Sequence, residues 1–285
     1  MPELPEVETI KRDLQAVVGF KINKFVVKHT SLLRGSSGLF KKALLGAKVL
    51  SLGRRAKVLV FNLSSNYSLF VHLKMTGQLV LVLPRGDYKM GGHPIMGVSN
   101  VPNKFTHIEL HFTNKAKLYF NDVRRFGYWQ IIKTAAVSEF LKKYGPEPLQ
   151  AEFTLALFTA NLQKHLKTNL KAVLLDQKVL AGLGNIYVDE ALFKARLNPT
   201  RRVKSLKAAE YKALWQAIKY ILNKAVKARG TSFDSYVDGR GRQGTYWASR
   251  LVYGRTGQLC KRCKNVIIKT TLAGRGTHYC AHCQK

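Results

Sequence analysis

All four cysteines of this 285-residue chain fall within its last 26 residues, and no other feature constrains the fold as tightly. Cys260 and Cys263 have two residues between them, as do Cys280 and Cys283, and sixteen residues separate the pairs. Each pair can offer two thiolates from one tight turn, and two such turns complete a tetrahedral site. Sulfur at all four positions leaves no opening for a substrate, so one structural zinc ion is expected. A disulfide framework would instead spread its cysteines across the fold. Lys261, Arg262, Lys264, Lys269 and Arg275 surround the pairs, which suits a finger that faces DNA better than one that faces protein.

The charge balance points the same way. Lysine and arginine total 48 against 16 acidic residues, a formal charge of +32 carried along the whole chain. Such a molecule is drawn to a polyanion, nucleic acid first among them. On charge alone, a ribosomal, RNA-binding or membrane-surface protein competes with a DNA-binding one. Apolar residues make up 46% of the chain, enough to bury real cores and to exclude global disorder. Glu3, Glu6 and Glu8 stand where a secretory signal needs a basic and then apolar run. No stretch approaches the roughly 20 apolar residues of a spanning helix, so a cytoplasmic protein without membrane contact is expected.

The length suits two domains. Residues from Glu3 to Val18 carry helical spacing, with Val7, Ile10, Leu14 and Val17 on one face. Short β-branched and aromatic runs follow up to Lys133: Lys57 to Asn62, Tyr67 to His72, His107 to Phe112 and Lys117 to Phe120. They predict an antiparallel sandwich or barrel, with an exposed loop between Pro84 and Asn103. Gly145-Pro146-Glu147-Pro148 cannot continue a helix and reads as an interdomain hinge. Beyond it, Phe153 to Gln163, Lys167 to Asp176, Tyr187 to Ala195 and Leu206 to Lys227 read as helices, followed by a glycine-rich basic stretch and the cysteines.

The start of the chain carries unusual chemistry. Removal of Met1 would give Pro2 a free secondary amine, and an α-amino group titrates near roughly 8, so much of it is neutral and nucleophilic at neutral pH. Attack on a sugar C1′ would give an iminium, an electron sink that labilises the sugar protons. Glu3 and Glu6 can crowd one helix end and divide acid and base roles. Read as residue types alone, the same Pro and Glu also suit plain helix entry.

The whole string Met1-Pro2-Glu3-Leu4-Pro5-Glu6-Val7-Glu8 resembles the start of the bacterial formamidopyrimidine-DNA glycosylases (Fpg, or MutM). The likeness continues through Gly53-Arg54-Arg55-Ala56-Lys57, His72-Leu73-Lys74-Met75-Thr76-Gly77, Val123-Arg124-Arg125-Phe126-Gly127 and Gly145 to Leu149. Leu174 to Gln177, Ala181 to Tyr187, Val252 to Arg255 and Gly274 to Cys280 complete it in order. The resemblance implies an α+β multidomain fold. An N-terminal helix and antiparallel β-sandwich form a catalytic domain over residues 1–133, with a hinge at 134–149. A helical helix–two-turn–helix domain follows at 150–228, then a lesion-covering loop at 229–250 and a four-cysteine zinc finger at 251–285.

It further implies excision of oxidised purines and strand cleavage at the abasic site by β,δ-elimination. Pro2 would form the Schiff base, Glu3 would shuttle protons and Glu6 would support it. Lys57 and Arg275 would hold phosphate and assist the eliminations. Met75, Arg124 and Phe126 would fill the void left by the extruded nucleotide, with Arg125 among the DNA contacts. Asn185 would bind backbone phosphate, with His72, His107 and Lys171 as lesser phosphate contacts. Damaged double-stranded DNA is the implied partner, bound by a monomer in the bacterial cytoplasm and at the nucleoid. Four departures from the family pattern stand out: Lys104-Phe105-Thr106-His107 for Lys-His-Asp-His, Lys74 for glycine, Val123 for proline, and Arg229-Gly230-Thr231 at a double-glycine position. Two alternatives compete. An endonuclease VIII-like enzyme has glycine where this chain has Leu4, and a non-catalytic zinc-finger protein would not need Pro2, Glu3 and Lys57.

Overall fold

The computed structural model describes residues 1–92, 100–231 and 244–285, which divide into two units. The first comprises Met1–Lys142 and Ala228–Trp247, the second Lys143–Lys227 and Ala248–Lys285.

The first unit runs α1 (Leu4–Asp13), β1 (Ile22–Val27), β2 (Leu33–Arg34), α2 (Ser37–Leu44), β3 (Val49–Arg55), β4 (Val58–Leu63) and β5 (Tyr67–His72). It continues with β6 (Gly77–Val82), β7 (Tyr88–Gly92), β8 (Thr106–Phe112), β9 (Lys117–Asp122), β10 (Tyr128–Lys133) and α3 (Val137–Leu141). Two five-stranded sheets result, ordered β1-β8-β9-β6-β7 and β2-β10-β5-β4-β3. All pairings are antiparallel except the short one between β2 and β10. Alternate residues of both sheets fill one core: Leu79, Leu81, Leu110, Leu118 and Phe120 from the first, Leu59, Phe61, Leu69, Val71 and Trp129 from the second. Phe120 meets Trp129 edge-on at 5.9 Å. The β-branched and aromatic runs left sandwich or barrel open, and the two packed sheets make it the β-sandwich that the family resemblance implied.

Helix α1 starts where Glu3 and Glu6 form a reciprocal capping box and Pro5 tolerates the first turn. Its apolar stripe, Val7, Ile10 and Leu14, is buried in the sandwich core. The helix is shorter than its spacing suggested, because Leu14–Val17 tightens into a 3-10 turn. Of the stretch from Pro84 to Asn103, expected as a loop, residues 93–99 lie outside the described residues, and Tyr88–Gly92 form β7 paired in register with β6. A Cβ on Gly91 would lie 2.7 Å from Ile10 Cγ1, so glycine lets α1 sit directly against this edge strand. Composition reads as loop here because the close approach excludes side chains. Helix α2, capped by Ser36 at Leu39 N–H, was not anticipated.

The second unit contains α4 (Leu155–Gln163), α5 (Leu170–Leu175), α6 (Asn185–Lys194) and α7 (Ala208–Lys227), near the expected helices. Thr154 and Asn169 cap α4 and α5 with side-chain oxygens. A single turn, α8 (Tyr246–Ser249), precedes the cysteine module, whose β11 (Ile268–Leu272) and β12 (Arg275–Tyr279) form an antiparallel hairpin. Phe193 of α6 shares a small core with Val252, Ile267, Cys260 and Cys280. The stretch expected as a hinge divides between the units. Residues up to Lys142, including α3, belong to the first. In the second, Gly145 N–H donates to Gln177 O at 2.8 Å and Pro146 O accepts from Ala181 N–H at 3.0 Å. Residues 232–243 of the expected lesion-covering loop lie outside the described residues. Among the described residues, no helix is long and apolar enough to cross a membrane.

Candidate functional site

In the first unit the candidate residues gather on the entry to α1 and on three strand-to-strand turns. Pro2, Glu3 and Glu6 are buried at the helix entry. Glu6 Oε2 accepts the Glu3 N–H at 2.9 Å and Oε1 accepts the Thr231 N–H at 2.8 Å. A Cβ on Gly230 would meet Glu6 Oε1 at 2.8 Å, so glycine there lets the returning chain close over the carboxylate. Arg229 is left-handed at φ 58 and pairs with Asp13 at 2.5 Å. The ion pair offsets the strain that glycine would avoid.

The β3–β4 turn carries Lys57, which is buried. Glu8 of α1 fixes that turn: it pairs with Arg54 at 3.2 Å, while Arg54 Nη1 donates to Ala56 O at 2.7 Å. Burial raises the Glu8 pKa, but hydrogen bonds from Lys11 and Arg12 and the charges of Lys11 and Arg54 outweigh it and hold the carboxyl below its usual range. The β5–β6 turn carries His72 and Met75. His72 Nδ1 accepts the Lys74 N–H at 3.0 Å, which leaves the proton on Nε2 in the neutral ring. Burial, then the charges of Lys74, Lys57 and Arg34, push the His72 pKa from 6.5 down to about 3. The imidazole is therefore a neutral donor set among three cations, an arrangement suited to a phosphate. Lys74 has φ 51, a left-handed position that glycine would fit and that lysine occupies here under strain.

The β9–β10 turn presents Arg124, Arg125 and Phe126, all exposed. Phe126 is 52% exposed and Met75 41%, values that remove both from the core. The Arg124 guanidinium lies 4.5 Å from the Phe126 ring centroid. Asp122, which sequence reasoning overlooked, shapes this turn with a carboxylate that accepts the Gly127 and Arg124 N–H groups at 2.7 and 3.2 Å. An aspartate closing a strand just before a turn was the available signal.

Two residues expected as phosphate contacts bond within the fold. His107 is buried, its Nε2 is bonded to Asp122 O at 2.8 Å and its ring abuts His29. It supports the end of β9 instead of meeting solvent. Lys171 is completely buried and pairs with Asp189 at 2.7 Å, with a second bond to Gly276 O at 2.9 Å. Its ammonium is committed to the fold.

In the second unit Asn185 opens α6, where the free N–H groups of a helix start suit an anion. Its amide donates to Gly276 O at 3.0 Å, which sets it beside Arg275 on β12. Arg275 itself is exposed. Two carboxylates of α6 that the sequence analysis passed over hold this arrangement. Asp189 Oδ2 accepts the His278 N–H at 2.8 Å. Glu190 accepts the N–H groups of Leu251, Val252 and Tyr253 at 2.8 to 3.0 Å. Two adjacent acids flanked by the apolar Val188 and Ala191 were the sequence signal.

The Sγ atoms of Cys260, Cys263, Cys280 and Cys283 lie within 4.8 Å of one another. Cys263 and Cys280 are 3.5 Å apart, Cys260 and Cys283 3.9 Å. A tetrahedral zinc with roughly 2.3 Å bonds needs edges of about 3.8 Å, so the four thiolates fit one ion. The chain binds a single structural zinc.

The chain matches the model of the formamidopyrimidine-DNA glycosylase N-terminal domain over residues 1–129, the H2TH domain of the same enzymes over 144–236, and a zinc finger found in FPG and IleRS over 257–285. It belongs to the formamidopyrimidine-DNA glycosylase family. It is 42% identical to the formamidopyrimidine-DNA glycosylase of Carboxydothermus hydrogenoformans and 39% identical to that of Pelotomaculum thermopropionicum, covering 100% and 99% of those relatives and 100% of itself. Among solved structures it resembles a Lactococcus lactis FPG mutant bound to Fapy-dG-containing DNA, with TM-score 0.88, 36% identity and full coverage of both chains. A complex of L. lactis Fpg with abasic-site DNA superposes with TM-score 0.87 at 36% identity over 99% of each chain. In this family frame the helix–two-turn–helix fold places Asn185 at the start of α6, beside the zinc hairpin.

Proposed function

We propose that this enzyme excises oxidised purines, 8-oxoguanine and formamidopyrimidines, from duplex DNA and then cuts the strand at the abasic site. The observation that carries it is the grouping in the first unit: a proline and two carboxylates at the entry to α1, with a cation-lined neutral histidine and exposed Met75 and Phe126 on neighbouring turns. Freed by removal of Met1, the Pro2 nitrogen attacks C1′ as the base departs, forming one C–N bond and breaking another. Glu3 delivers a proton during base loss and sugar-ring opening. The resulting iminium draws electrons from C2′, whose proton is lost as the 3′ phosphate leaves. A second proton loss expels the 5′ phosphate. Lys57 and Arg275 stabilise the phosphates, while Glu6, bonded to Glu3 N–H and Thr231 N–H, orients the start of the helix.

A base inside a duplex is out of reach, so the nucleotide is extruded at a cost of a few kcal/mol. Phe126, Met75 and Arg124 offset that cost by filling the gap. The zinc holds β11–β12, and with it Arg275, in place. The enzyme works as a monomer on damaged double-stranded DNA, in the bacterial cytoplasm and at the nucleoid. Borohydride trapping and excision on duplexes bearing defined lesions test this reading. Pro2→Gly should abolish trapping and strand cleavage while DNA binding survives. Trapping by protein that keeps Met1 in full would overturn the mechanism.

A further inference from the structure

One carboxylate ties together the two turns that carry the three gap-filling side chains. Asp122 closes β9, and its side chain is completely buried. Its Oδ1 accepts the hydroxyl hydrogen of Thr76 and the Arg124 N–H, the latter at 3.2 Å. Its Oδ2 accepts the Gly127 N–H at 2.7 Å. Thr76 directly follows Met75, and its Oγ1 also accepts the Arg124 N–H, at 3.1 Å. Gly77 and Asp122 are register partners at the end of the β6–β9 ladder, so both turns leave the sheet from one rung. Arg125, between Arg124 and Phe126, is left-handed at φ 56, and Lys74, before Met75, at φ 51. Neither turn is relaxed by itself, and each is held by what it bonds to.

We infer that Asp122 and Thr76 form a positioning pair that couples the Met75 turn to the Arg124–Phe126 turn, so that the three side chains enter the DNA as one unit. Among the described residues the two turns share no backbone hydrogen bond at their tips, yet their side chains have to occupy one gap together. A buried carboxylate with three donors from two segments sets their spacing more rigidly than packing of exposed side chains could. Positional errors near 1 Å cost on the order of a hundredfold in rate when reacting groups must be aligned. Because this rests on reading Met75, Arg124 and Phe126 as gap-filling residues, its test has to separate the two ideas.

The experiment is single-turnover excision of 8-oxoguanine from duplex, opposite cytosine and opposite adenine, by zinc-loaded enzyme with a free Pro2. Lyase rates on single-stranded abasic DNA and melting curves accompany it. Thr76→Val keeps the β-branched shape and removes the hydroxyl. It is expected to slow duplex excision roughly tenfold, the scale of one charge-assisted hydrogen bond. It should also narrow any preference between the two opposite bases, with the abasic lyase rate falling far less. Thr76→Ser restores the hydroxyl and should restore both the rate and the preference. Met75→Ala and Arg124→Ala should be coupled in the wild-type background and additive in the Thr76→Val background. If Phe126→Ala impairs duplex excision while Thr76→Val changes neither rate nor preference, the pairing is wrong and the gap-filling reading stands. If Phe126→Ala and Met75→Ala spare duplex excision, the gap-filling reading fails and the inference falls with it. Uniform slowing on every substrate by Thr76→Val, with a lowered melting temperature, would show only a packing role and overturn the inference.

Discussion

The two units hold their candidate residues by different means. In the first, two five-stranded sheets enclose one large apolar core, and the residues of interest stand on turns at its margin. Ala56, Lys74 and Arg125, non-glycine residues at φ 52, 51 and 56, adjoin Lys57, Met75 and Phe126. The core is stable enough to tolerate local strain of roughly 1 to 3 kcal/mol at such positions. In the second unit, the hairpin bearing Arg275 belongs to a module with five residues in its buried cluster among those described, two of them zinc-ligating cysteines. Its position depends on thiolates, on Asp189 and on Glu190. A site on the rim of a large core can be shaped by strain, whereas a site on a small module has to be fastened by charge.

Zinc removal is the strongest way to break this contrast. Structural zinc contributes on the order of 10–16 kcal/mol to small modules, so chelation or Cys283→Ser should unfold the hairpin. The sandwich should keep its own melting transition. Hydrogen exchange resolved by segment reads both, and joint unfolding of the units would erase the distinction. Next in size is Asp189→Asn, which leaves the completely buried Lys171 without its ion partner. The expected loss is about 3–5 kcal/mol in urea unfolding of the second unit, with the first unit unaffected.

The smallest effect sharpens the comparison from the first unit. His72 has its pKa depressed from 6.5 to about 3, so between these values the unfolded chain binds a proton that the folded one does not. Stability is then full above pH 6.5 and falls as pH drops toward 3. The loss from this group should reach about 2 kcal/mol at pH 5, at roughly 1.4 kcal/mol per unit. His72→Gln should flatten that part of the profile, and an unchanged acid limb would show that His72 titrates normally.

Much of the layout is legible without coordinates. The cysteine spacing determined a tetrahedral thiolate site, because two tight turns with two sulfurs each can satisfy one ion. The β-branched and aromatic runs determined several of the strands, leaving sandwich or barrel open, and the motif string from Pro2 to Cys280 determined the family. Local chemistry suffices for these, since ligand geometry and strand pleat are properties of neighbouring residues. Tertiary structure decided the rest. Lys171 and His107 are cationic or imidazole side chains whose partners sequence cannot name, and only the fold brings them against Asp189 and Asp122. Strand β7 hides in a loop-like composition because Gly91 is there to admit Ile10 of α1, a neighbour 81 positions away in sequence. Asp122 lies 46 residues from Thr76, and their pairing exists only because β6 and β9 end on the same rung. Partners so far apart are chosen by the fold as a whole, since neither residue's type or local sequence says which group it will meet.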